Sequence, residues 1–270
     1  MTNNYLNLIE NNHDLIYEEY GRSHPWVSYN KEDKNVYYNL SQDYVEIGGI
    51  KWATKCIGAS SPYTCDADLF QWGETTGHKE GVDYNYSWAN APFVNNTWAS
   101  FSGFVSSNKV LLSSYDAATQ LMGKSPIKGY SWRMPTKEEF VTLVKHTLSS
   151  YSGTVKGVDG TEITMYSRGV GLVKGVKGKC YGKTTTSTNN ILFLPFRGYG
   201  YFDEIHGVGD SCNIWSSSLG DGYGAWTSSP LSDFLFSSAY GLSSSLDSDY
   251  VNDGSKVFYG QCILGVLAQN

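Results

Sequence analysis

Charge is sparse in this sequence, and so are proline and the short signatures of metal or nucleophile chemistry. Each shortage closes off a class of function. Only 17% of the residues are Asp, Glu, Lys or Arg, so solubility rests on Ser, Thr, Asn, Tyr and exposed backbone. Seven prolines stand against 29 glycines with no three-residue period, which excludes a collagen-like rod and indicates many tight turns. The formal net charge is -6, the wrong sign for a chain that neutralises phosphates, so no nucleic-acid partner is expected. The densest basic stretch, Lys174, Lys177, Lys179 and Lys183, is interleaved with Gly and Val and reads as a solvated loop rim. No run approaches the ~20 apolar residues of a membrane-spanning helix, so no membrane insertion is expected. The first residues, MTNNYLNLIENN, lack the basic start and apolar run of a signal peptide. The chain is therefore expected to be intracellular or to reach a virion or cell surface by another route, such as assembly into a phage particle.

Catalytic signatures are equally scarce. The five cysteines, Cys56, Cys65, Cys180, Cys212 and Cys262, contain no CxxC pair, which argues against a thiolate zinc site. A short Cys56–Cys65 disulfide is one reading, and five separate, mostly buried thiols the other. None of His13, His24, His78, His146 and His206 sits in an HExxH pattern, and no GxSxG elbow occurs. Triads assemble in space rather than in sequence, yet nothing here nominates one, and the chain reads as a non-enzyme.

What is present is an organised alternation of apolar anchors and turns. Residues 1–40 read as an N-terminal extension with a hairpin around Lys31–Lys34, and residues 41–270 as one domain. YVEIGGIKWATKCIG predicts two short strands joined at Gly48–Gly49. One helix is expected over Ser114–Met122. A second begins after Pro135, where Thr136 and Glu139 form a capping box and Phe140, Leu143, Val144 and Leu148 share a face. Residues 153–190 look turn-rich and then Thr-rich, and ILFLP is a buried strand that stops near Pro195. Strands, two helices, then strands make an α+β domain. Trp52, Trp72, Trp132 and Trp215 are expected in the core, and Trp88 and Trp98 as loop anchors.

The last quarter points to recognition. Between Ser211 and Gly260 lie 14 serines, with large apolar side chains recurring among them. Tyr provides a rigid ring with one hydroxyl, and small polar residues adapt around it, as in antibody combining loops. On these grounds Tyr223, Trp226 and Tyr250 are candidate ligand-binding residues. Trp226, in GDGYGAWTSS, is the expected exposed anchor. Tyr199, Tyr201, Tyr240 and Tyr259 are expected to divide between frame and surface. Asp247, Asp249, Asn252 and Asp253 form an oxygen-rich stretch that would suit calcium or serve as a solvated turn.

Three blocks carry a family resemblance: GGIKWATKCIG with LFQWGE, then YSWRMPTKEEF, then NNILFLPFRGYG with NIWSSS and FYGQCILGVL. They resemble the major paralogous domain of Fibrobacter succinogenes, common in gut Bacteroidales and similar to C-type-lectin-like and formylglycine-generating-enzyme folds. The resemblance implies a C-type-lectin-like domain. It also implies kinship with variable proteins of diversity-generating retroelements, in which C-terminal codons are rewritten and the resulting residues form the recognition surface. On that kinship Ser218, Asp221, Ser243, Ser245, Asp247, Asp249, Ser255 and Phe258 join Tyr223, Trp226 and Tyr250 as expected ligand-binding residues. The expected partner is a protein or glycan ligand on a cell surface; a structural or assembly role with homo-oligomer formation, or a degenerate formylglycine-generating-type enzyme, are the alternatives. This chain has Cys262, Ile263 and Leu264 where such chains carry an Arg, and Cys56 where they carry an Asn, which puts the usual core hydrogen bonding in doubt.

Overall fold

The computed structural model describes residues 27–30, 35–38, 44–79, 84–92, 103–123, 125–183, 191–220 and 238–270. These fall into two units divided between Tyr44 and Val45. In the first, β1 (Val27–Asn30) pairs antiparallel with β2 (Asn35–Tyr38), Asn30 lying opposite Asn35, as expected of a hairpin around Lys31–Lys34.

The described residues of the larger unit are α+β, with short antiparallel sheets and two short α-helices. Strands β3 (Tyr44–Ile47) and β4 (Ile50–Ala53) are joined by Gly48 and Gly49 at φ 63° and 79°. Both glycines are left-handed, as the tightest hairpin turn requires, and a side chain there would be strained. The final strand of the chain, β16 (Val266–Gln269), inserts between β4 and β5 (Tyr130–Arg133).

Helix α1 (Ala117–Leu121) is shorter than the expected Ser114–Met122, because Ser113–Tyr115 form a separate 3-10 turn. Asp116 marks the break. Its carboxylate accepts the Thr119 amide at 2.9 Å and the Met134 amide at 3.0 and 2.9 Å. Helix α2 (Lys137–Val144) has the expected capping box between Thr136 and Glu139. Glu139 also takes a bidentate pair from Arg133 at 2.7 and 2.7 Å, so the WRMPTKEE block ties β5 to the start of α2. Phe140 and Leu143 are buried, and Leu148 packs beyond the helix end in a second core cluster.

Residues 153–183 and 191–195 hold more order than their composition suggests. Strands β6 (Gly153–Lys156), β7 (Glu162–Met165), β8 (Val170–Val173), β9 (Val176–Gly182) and β10 (Ile191–Pro195) form one antiparallel meander. A short hairpin, β11 (Tyr199–Tyr201) with β12 (Glu204–His206), follows. Strands β13 (Ser211–Leu219), β14 (Ser238–Ser245) and β15 (Asp249–Lys256) make a three-stranded sheet.

The core holds Trp52, Trp72, Trp132 and Trp215 as expected; Trp98 lies outside the described residues, as does the side chain of Trp88. The Trp72 and Trp215 indole N–H groups donate to the carbonyls of Ser216 at 2.8 Å and Phe70 at 2.9 Å. Burying an indole without such an acceptor would leave its N–H unsatisfied.

All five cysteines are free thiols, so the Cys56–Cys65 disulfide is not formed. Cys56 is instead packed with Cys212 and Cys262. Hydrogen bonding to Cys262 and burial push the Cys56 and Cys212 thiols up, and the same two neighbours hold Cys262 down. Cys65 is the half-exposed one. Titration with an aromatic disulfide reagent should therefore show one thiol reacting promptly in the native protein and five in denaturant. Fewer than five after unfolding without reductant would contradict this arrangement.

Candidate functional site

Two glycines place the most distinctive surface of the larger unit. Gly200 in β11 and Gly260 exchange two backbone hydrogen bonds, of 2.7 and 2.9 Å. The Tyr86 ring lies against both; a Cβ on either would fall 2.3 Å from it. Side chains alternate across an extended backbone, so the residues flanking these glycines, Tyr199, Tyr201 and Tyr259, face away from Tyr86. They gather with Phe258. Tyr259 stands nearly perpendicular to Tyr201, at 74° and 5.1 Å between centroids, and to Phe258, at 88° and 5.2 Å. Tyr201 and Phe258 are inclined by 31° at 6.3 Å. Tyr199 packs on Tyr259 at 5.7 Å and on His206 at 5.6 Å. These four rings are half-buried. Burial, then the phenols of Tyr201 and Tyr199, push the Tyr259 hydroxyl up, so it stays a neutral donor.

The β11–β12 turn extends this corner. Tyr201 pairs with Glu204, leaving Phe202 and Asp203 as the loop. Phe202 has φ 52°, a left-handed conformation that a bulky residue rarely adopts. It is also 47% exposed, so the strain secures no burial. Backbone bonds to Tyr86, of 2.7 and 3.1 Å, hold it there. Strain of this kind persists where surrounding contacts impose it, and concentrates at functional positions.

The expected binding residues divide. Asp221, Tyr223 and Trp226 lie outside the described residues. Ser243, Ser245 and Phe258 are half-buried and Asp247 is exposed. Tyr250 lies in β15 opposite Ser243. Asp247 pairs with Arg168 and borders a trough of about 500 Å³ with Tyr166, Leu172, Lys177 and Leu246. Among the described side chains of this set, Phe258 joins the aromatic corner.

Three expectations need correction. Ser218 is buried, its hydroxyl accepting the Lys137 amide at 3.1 Å at the start of α2. Its neighbours are equally committed: Ser217 donates from N–H and hydroxyl to the Pro135 carbonyl at 2.8 and 3.2 Å. Ser255 is also buried. Asp249 turns inward, its side chain only 5% exposed, and pairs at 3.3 Å with Lys179, itself 1% exposed. Thr147 donates to the Asp249 carboxylate at 2.7 Å, and the Tyr181 hydroxyl lies 2.5 Å from Ser244 Oγ. The Lys179 ammonium also donates to the Ser245 carbonyl at 2.8 Å. A lysine read as part of a solvated rim is thus an interior cross-brace between β9 and the β14–β15 hairpin. Asp247 and Asp249 consequently face different partners. Among the described residues no three His, Cys, Asp or Glu side chains are grouped to hold a metal ion.

Phe202 was not among the expected residues. Its signal was present in GYFDEIHG, where a Phe-Asp pair fills a turn usually made by Asn-Gly. No family model, curated protein or solved structure matches the chain.

Removing one partner of a buried ion pair strands the other. Lys179→Met should cost about 3–5 kcal/mol in urea unfolding, and the double variant with Asp249→Leu should recover part of it. A single variant within about 0.5 kcal/mol of the parent would show that the pair is not a brace.

Proposed function

We propose that this protein binds a ligand through a face built from the β11–β12 hairpin and the C-terminal region, on a C-type-lectin-like domain. The observation that carries this reading is Phe202, a large exposed ring held in left-handed backbone against half-buried Tyr201, which packs in turn on Tyr259 and Phe258. Rigid aromatic rings supply contact area at low entropic cost, and such rings dominate binding energy in known interfaces. The ligand is a protein or glycan on a cell surface, and the protein acts from a virion or cell surface.

The diversified-protein reading is narrowed accordingly. Ser218, Ser255 and Asp249 belong to the frame. Ser243, Ser245, Asp247 and Phe258 remain as exchangeable positions, with Asp221, Tyr223, Trp226 and Tyr250 beside them in sequence. A near-identical repeat of the DNA encoding roughly residues 215–265, next to a reverse-transcriptase gene, would support diversification by a retroelement. Without it, the reading reduces to an adhesion protein of fixed specificity.

Phe202→Gly separates recognition from folding. Glycine adopts φ 52° without strain, so stability should hold within about 1 kcal/mol or rise. Capture on arrays of glycans and surface proteins should fall at least about tenfold, a loss of about 1.4 kcal/mol. Unchanged capture by a stable Phe202→Gly protein would remove this face as the binding site.

A further inference from the structure

We infer that the corner formed by Tyr201, Phe258 and Tyr259 receives an alkylammonium group, of the choline or methylated-amine kind. The inference rests on the reading of this face as a recognition surface and names what it takes. Ring orientation is the first observation. A flat platform for sugar rings needs aromatic faces lying roughly in one plane. Here Tyr259 stands at 74° and 88° to the two rings beside it, which makes a corner. In this inference the free π-faces of the perpendicular rings converge on one point from different directions. The quadrupole of each face attracts a cation within about 6 Å of its centroid. The three centroids lie 5.1, 5.2 and 6.3 Å apart, close enough to share one small cation.

Charge is the second observation. The hairpin that carries Tyr201 has the sequence YGYFDEIH and contains no Lys or Arg. Asp203 and Glu204 are exposed. Glu204 lies opposite Tyr201 in the pairing and 3.5 Å from His206, whose ring is 6.1 Å from Tyr201. A rim bearing carboxylates beside aromatic faces complements a cation. Lys256 opens the turn that leads to Phe258 and Tyr259, its carbonyl accepting the Tyr259 amide at 2.9 Å. Its charge, two residues before Phe258 in sequence, has the sign of the ligand, so its removal should strengthen the effect.

The test uses the full chain and three small probes: tetramethylammonium, choline and 3,3-dimethylbutan-1-ol, the neutral isostere of choline. Binding is followed by aromatic NMR shifts at constant ionic strength. Both cations should shift the Tyr201, Phe258 and Tyr259 resonances, and the isostere should bind at least about tenfold more weakly, since a cation–π site distinguishes charge from shape. Glu204→Gln should weaken choline binding and Lys256→Gln should tighten it. Tyr201→Leu, with its fold checked by melting temperature, should abolish the shifts. Equal affinity for the neutral isostere overturns the inference, as does an absence of shifts with either cation. If neutral oligosaccharides move these resonances while the cations do not, the ammonium assignment falls and the recognition face stands. If neither class moves them and array capture survives Phe202→Gly, both fall.

Discussion

Backbone pairing by one late segment holds the larger unit together. Residues 257–267 donate to or accept from Ala53 and Ile57, from Phe70 and Trp72, from Gly200, and from Asn213 and Trp215, before entering a sheet between β4 and β5. These stretches are remote in sequence and none forms a large sheet of its own. Val257, Cys262, Ile263, Leu264 and Val266 are all buried, so the backbone bonds are shielded from water, where an unpaired amide or carbonyl would be costly. The fold is thus a set of short elements fastened to a central strap, which explains how few long helices or strands it needs.

That strap also fixes where variation is tolerable. Phe258 and Tyr259 emerge from it between buried Val257 and Gly260, and the Gly200–Gly260 bridge aligns them with Tyr201. The glycines are required by contact with Tyr86, and the rings on the other side are supported from below. The serines of NIWSSS belong to the opposite category. Small hydroxyls satisfy buried backbone groups around Pro135 and Lys137, so they act as fasteners. Serine abundance therefore carries two messages in this chain, and only the partners of each hydroxyl tell them apart.

Local signals were the legible ones. The Gly48–Gly49 hairpin, the Thr136–Glu139 capping box, the strand ending at Pro195 and the four core tryptophans follow from propensity, capping and hydrophobic pattern acting over a few residues. The part of the meander before β10, strands β6 to β9, was not legible. Its strands are mostly four residues long, glycine-rich, and interrupted by Lys179, whose burial depends on Asp249, 70 residues later in sequence. The same distance hid the role of Asp249, which looked like one acid in an exposed acidic turn. Tyr199, Tyr201 and Tyr259 were readable as dividing between frame and surface, but the corner they form with Phe258 depends on a long-range bridge that no local pattern encodes.

The central claim is that a strapped frame bears the folding energy while the half-buried and exposed positions outside it contribute little. Its most direct test is urea unfolding of a variant altered at once at Ser243, Ser245, Asp247 and Phe258, to Asn, Asn, Asn and Tyr. The account predicts a stability within about 1 kcal/mol of the parent, the range of ordinary surface changes. A loss of more than about 3 kcal/mol with the same cooperative transition would contradict it, because these positions would then be part of the frame.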